Sequence, residues 1–149
     1  MVVRVVQFLA ILLMALVLVP SGAHVFELPN KIALGKDQYF IVQNIYRGWS
    51  LFGFVMFAAL LADGLLAVTA EKWSASFWFA VVAAASLLIS LAIFFSWTYP
   101  ANVATANWTE IPTEWQRLRT NWEYAHAASA AVTFLGFCAV TLSVMTARR

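Results

Sequence analysis

Four apolar stretches, each long enough to cross a bilayer, constrain this chain more than any other feature. The first runs from Val5 to Val19, broken only by Gln7, and extends through Pro20-Ser21-Gly22-Ala23 to about residue 24. The second covers 49–70 with Asp63 as its one charge, and the third, 76–99, has none. The fourth, 124–147, carries His126 and no formal charge. At about 1.5 Å of rise per residue, about 20 helical residues cover the roughly 30 Å of hydrocarbon in a membrane. Backbone amides in lipid have no water to bond, so segments this long must close their hydrogen bonds internally as helices.

Composition agrees. Of 149 residues, 63% are apolar and only 11% are charged, more hydrocarbon than a soluble domain of this size can bury. The expected fold class is all-α, an integral membrane four-helix bundle in one domain over 1–149. Long, partly helical external connections fill 25–48 and 100–123. An ordinary cytosolic enzyme and an extended nucleic-acid binder are excluded, and the lipid bilayer is the first expected partner. A homo-oligomer or a larger membrane complex fits the same surface. The alanine clusters Ala83-Ala84-Ala85 and Ala127-Ala128…Ala130-Ala131 let helices approach closely, as membrane bundles favour.

The first stretch has a competing reading. Arg4, a Leu/Val/Met core and Ser21-Gly22-Ala23 resemble a secretory signal, whose cleavage would leave His24 amino-terminal. The reading taken is a span. Orientation follows from the loops. Arg4, Lys72, Arg148 and Arg149 face Glu71 on one side, while five basic and five acidic residues cancel in the two long connections. Charge balance therefore places both termini in the cytoplasm of a bacterial inner or plasma membrane, although raw Lys/Arg counts, four against five, do not favour it.

Asp37–Arg47 has few helix breakers and is expected to continue helically through Gly48 into the second span. Pro100 is expected to end the third span, and Thr113–Glu123 to lead helically into the fourth from near Pro112. Trp97, Tyr99, Trp108, Trp115, Trp122 and Tyr124 crowd this region, mostly as interfacial anchors.

Chemistry-bearing residues gather at the same side. His24 ends the first span and His126 lies about one turn inside the fourth, so alternating topology sets both rings at similar depth. Imidazoles there can ligate a metal, share a haem or relay a proton. Glu123 lies three residues before His126, and Arg119 one turn earlier extends the stripe. Arg47, with Asn44 behind it, marks the mouth of the second span, and Glu27 follows His24 by three. His24, His126 and Glu123 are the candidate metal ligands, for copper or iron, and His24 with His126 the candidate axial pair for haem b. A site without any cofactor fits the same residues. The plain alternative is headgroup contact by the histidines and snorkelling or paired charges at Arg47, Arg119 and Glu123.

Asp63 is the other anomaly, with Gln7 on the first span as its expected structural partner. The lone Cys138 lies deep in the fourth span and excludes an internal disulfide. No HExxH, phosphate loop, GxSxG or di-iron carboxylate run is present. A hydrolase lacks a nucleophile–base arrangement, and four mostly apolar helices offer no pore lining without oligomerisation.

The run Asn107-Trp108…Glu114-Trp115…Leu118-Arg119…Trp122-Glu123…His126 resembles a signature of the DUF1772 group of small four-span membrane proteins, which includes the fungal anthrone oxygenases. In that pattern an Arg, a Trp and a His precede an alanine-rich last span, matching Arg119, Trp122 and His126. An Arg common a few residues after the histidine is missing here, where Ser129 and Ala130 stand. The resemblance implies a redox enzyme, an oxygenase acting with dioxygen on an activated aromatic or hydrophobic small molecule. His126 would be the base, Glu123 would fix its tautomer, and Arg119 or Arg47 would stabilise an enolate oxygen. Two other readings stand beside it: a bis-histidine haem or metal electron-transfer protein, and a non-catalytic accessory subunit.

Overall fold

The computed structural model describes residues 2–147, and no strand occurs among them. Met1, Arg148 and Arg149 lie outside the described residues, so the two arginines in the charge count have no structural account. Helix α1 spans Val2–Lys31. A short helix α2, Lys36–Val42, tightens into a 3₁₀ turn at Gln43–Tyr46. A second 3₁₀ turn, Trp49–Leu51, opens α3, Phe52–Thr69. Helix α4, Ala75–Ile93, passes through a wide π turn at Phe94–Thr98 into α5, Tyr99–Ala104. The last helix, α6, covers Trp115–Thr146.

Four helical units, Val2–Lys31, Trp49–Thr69, Ala75–Ala104 and Trp115–Thr146, are long and apolar enough to cross a membrane. The protein is a membrane-embedded four-helix bundle with helical connections. Both described chain ends and the turn between α3 and α4 share one end of the bundle, called proximal here. Residues 32–48 and 105–114 share the distal end.

Two local expectations are corrected. Pro100 does not end the third span, because the π turn just before it absorbs the missing amide and the clash. The connection also does not run helically into the second span. Gly48 takes a left-handed φ of 87° and turns the chain, which glycine does without a Cβ penalty.

Lipid supplies no hydrophobic drive between helices, so close packing and interhelical hydrogen bonds hold the bundle. Helices α4 and α6 make the most extensive contact. Ser143 Oγ lies 3.3 Å from Ser76 Oγ and donates to the Ser76 carbonyl at 2.7 Å. Ser90 and Thr133 pair their hydroxyls at 3.2 Å. Between these rungs Ala80, Ala83, Leu87, Ala139 and Val140 join Ala10, Met14, Ala59 and Leu66 in the apolar core.

Gly136 sits where α1, α4 and α6 meet. A Cβ there would stand 2.9 Å from Ser86 Cβ and 3.1 Å from Met14 Cε. Gly136→Ala is therefore expected to force the helices apart at a cost of about 1–3 kcal/mol, read as a lowered thermal unfolding midpoint in detergent. An unchanged midpoint would refute this close approach.

Candidate functional site

The distal end is built from two stripes on antiparallel helices. On α1, His24, Glu27 and Lys31 recur at helical spacing on one face. On α6, Arg119, Glu123 and His126 do the same. Because α1 runs toward the distal end and α6 away from it, the stripes meet in rungs. The innermost rung is His24 against His126, whose rings stack with centroids 4.0 Å apart and planes at 27°. In the next rung outward, Lys31 Nζ lies 3.0 Å from Glu123 Oε1. Farther out, Arg119 Nη1 donates to the Leu34 carbonyl at 2.7 Å, with the guanidinium over the rings of Trp115 and Tyr39.

The first connection covers this core with polar groups. Tyr39 donates its hydroxyl to Glu123 Oε1 at 2.8 Å and accepts from Gln43 Nε2 at 2.7 Å. Lys31 donates to Tyr46 Oη at 2.6 Å and reaches Gln43 Oε1 at 3.4 Å. Tyr46 in turn donates to Glu27 Oε2. Lys31, Tyr39, Gln43 and Glu123 are all buried.

Aromatic rings fill the spaces between these charges. His24 touches Tyr46, Trp49 and Trp122 at ring centroids of 4.7, 5.6 and 5.1 Å. Trp122 meets His126 edge-on at 4.2 Å and lies 4.7 Å from the Lys31 ammonium. Its indole N–H donates to Asn102 Oδ1 at 2.9 Å, and Trp108 donates to the same oxygen at 3.1 Å. Three successive residues, Ala106, Asn107 and Trp108, hold φ of 46°, 56° and 65°. Each costs roughly 1–2 kcal/mol of backbone strain. The Trp108 amide bonds Thr105 Oγ1, and its side chain packs against Tyr39, Phe40 and Trp122. Trp108 and Trp122 are thus buried structural members rather than interfacial anchors, while Trp97, Tyr99 and Tyr124 are exposed as anchors would be.

Of the residues singled out from sequence, His24, His126, Glu123 and Arg119 come together, and Glu27 joins them. Arg47 and Asn44 do not; both are exposed at the turn before Gly48. Glu123 does not orient His126, because Lys31 and Tyr39 take its Oε1, while Oε2 is buried without a partner among the described residues. Among the described residues no group of three or more His, Cys, Asp and Glu side chains is placed to hold a metal ion. The set His24, His126 and Glu123 is not assembled as ligands, since the carboxylate is turned to the ammonium. Axial imidazoles bind iron through in-plane nitrogens from opposite faces of a porphyrin. Two rings overlapping face to face at 4.0 Å leave no layer for one, so haem does not fit between them.

Lys31, Tyr39, Gln43, Tyr46 and Asn102 were missed from sequence. Lys31 alone carried a signal, seven residues after His24 on the same helical face. Asp63 is fully buried on α3 with both carboxylate oxygens unpartnered among the described residues, so Gln7 is not its partner. Gln7 instead lines a proximal cavity of about 480 Å³ with Thr69, Lys72, Trp73, Ser74 and Thr146. Cys138 is a half-buried free thiol.

Compared with family models, curated proteins and solved structures, the chain matches none.

Removing one partner of a buried ion pair strands the other charge, at about 3–5 kcal/mol. Lys31→Met is expected to destabilise the folded protein by that amount, and adding Glu123→Gln to recover most of it. Chemical unfolding of the singles and the double checks this, and additive losses would refute the coupling. Burial, reinforced by the Glu123 carboxylate at Tyr39 and by Glu27 at Tyr46, raises both phenols well above the ordinary tyrosine range. The folded chain keeps these protons where an unfolded chain loses them, near pH ~10. Their stabilisation is therefore complete below that pH and lost as pH rises above it. Tyr39→Phe is expected to flatten the fall of the unfolding midpoint in alkali.

Proposed function

We propose that this protein is a membrane-embedded oxygenase that removes a proton from an acidic C–H of a flat aromatic substrate and lets dioxygen add to the carbanion. One observation carries the reading. A pair of stacked imidazoles lies in a cage of Tyr46, Trp49 and Trp122, about two turns of α1 from a buried lysine. The likeness of Arg119, Trp122 and His126 to the anthrone oxygenase pattern supplies the reaction class.

In this reading His126 is the base. It is half-buried and rests on the Trp122 edge, which holds its ring at a fixed angle. A base positioned this way contributes typically ~10²–10⁴-fold to the rate. Lys31 lies against the same indole as His126 and replaces Arg47 as the cation that stabilises an enolate oxygen. Glu123 holds Lys31, and Arg119 holds the covering connection to α6 through Leu34. Half-buried Trp49, in edge contact with exposed Phe52, marks the approach from hydrocarbon.

The chemistry closes without an added reductant. The substrate methylene gives a proton to His126, the carbanion bonds to dioxygen, and the protonated peroxide loses water to leave a ketone. One methylene and one dioxygen become one carbonyl and one water, with four electrons passing from carbon to oxygen. The test is dioxygen uptake by purified protein with anthrone as the probe. His126→Ala is expected to lower turnover by about 10²-fold or more, and unchanged turnover would sink the reading.

A further inference from the structure

Lys31 links the core to the surface by donating both ways, inward to Glu123 and outward to Tyr46. Glu123 Oε1 accepts from Lys31 Nζ at 3.0 Å, Lys31 donates to Tyr46 Oη at 2.6 Å, and Tyr46 donates to Glu27 Oε2. Exposure rises along the same line: the side chain of Glu123 is 0% exposed, that of Lys31 5% and that of Glu27 30%. We propose that Glu123, Lys31, Tyr46 and Glu27 form a proton path joining the buried site to water at the distal face.

The transfer balances atom by atom. An N–H bond of Lys31 breaks as an O–H bond forms at Tyr46, while the Tyr46 hydroxyl proton passes to Glu27. The Glu27 carboxyl then releases that proton to water. Lys31, left as the amine, takes a proton from a Glu123 carboxyl that has received one from the site. One proton leaves for each delivered to Glu123, and no electron moves. Tyr46 works here as a phenol throughout, because burial and the Glu27 carboxylate hold its proton above the ordinary range.

The surrounding charges fit this task. The titratable and charged groups touching Lys31 and Tyr46 are His24 and Glu27 on α1, Tyr39 in the first connection and Glu123 on α6, while Arg119 lies over Tyr39 and His126 behind His24 and Trp122. Trp49 is the part of the second span that packs there, and it adds no charge. Tyr39 and Gln43 bond Glu123 and Lys31 but are themselves buried, so they brace the path and do not extend it to water. Glu123 Oε2, buried without a partner among the described residues, is the atom free to receive the incoming proton. That the proton comes from a substrate methylene rests on the oxygenase reading; the path itself rests on the bonds above.

The chain has three lysines, Lys31, Lys36 and Lys72, so ¹⁵N-lysine labelling of the full-length protein in detergent gives three ammonium signals. Loss of one in Lys31→Arg assigns Lys31, and its hydrogen exchange with water is then measured without substrate. Glu27→Gln and Tyr46→Phe are each expected to slow that exchange by about tenfold, equivalent to about 1.4 kcal/mol on the barrier. Asn44→Ala, exposed at the same end and in no bond of the path, is expected to leave the rate near that of the wild type. Exchange unchanged or faster in Glu27→Gln or in folded Tyr46→Phe overturns the path. Glu27 is partly exposed on a long helix, so its variant decides the question alone if Tyr46→Phe does not fold. Because no turnover is read, this outcome is independent of dioxygen uptake.

Discussion

A lysine ammonium and a glutamate carboxylate, buried together 3.0 Å apart at one end of a membrane bundle, set the terms for everything around them. Neither charge is tolerable alone in such a place, and together they still need hydrogen bonds to replace lost water. The neighbours follow from that need. Tyr39 and Gln43 reach in from a connection that would otherwise have little reason to fold over the helices, and Tyr46 ties Lys31 to Glu27. The connection is thus a polar cap whose shape is dictated by the ion pair beneath it.

The aromatic shell does the complementary work. Trp122 stands between the ion pair and the imidazoles, touching both, and one amide oxygen, Asn102 Oδ1, fixes it together with Trp108. The left-handed run at residues 106–108 is strained, and that strain is offset by burial of the Trp108 ring and by the Thr105 bond to its amide. The second connection therefore exists in its observed form to deliver an indole. The proximal half of the bundle is different in kind: paired hydroxyls between α4 and α6 and a glycine contact hold apolar helices together without charge.

Much of the site was legible as spacing. His24 with Glu27, and Arg119 with Glu123 and His126, share helical faces because 3.6 residues make a turn, and alternating topology brings the two faces to one end. Lys31 obeyed the same rule but stood beyond the expected end of the first span at about residue 24. Proline inside α1 is accommodated, as membrane helices allow when nearby groups satisfy the freed carbonyl. Tyr39, Gln43 and Tyr46 carried no signal, since a connection has no periodic face to read and its contacts lie up to 85 residues away. Arg47 looked equivalent to Arg119 in the chain, yet Gly48 turns the backbone there and leaves it outside.

The sequence by itself determined that four helices cross a membrane, because hydrocarbon admits no other hydrogen-bonding solution for apolar segments of that length. It also determined which residue types gather at the distal end, because helical period and alternation are local properties. Only the tertiary structure decided which partner each charge takes. Glu123 has Lys31, Tyr39 and His126 all within the same end of the bundle, and its choice of the ammonium over the imidazole is a matter of a few ångströms. Those distances are set by how α1 and α6 pack, by the strained turn that places Trp108 against Trp122, and by the depth to which the first connection folds. No local pattern in the chain encodes them.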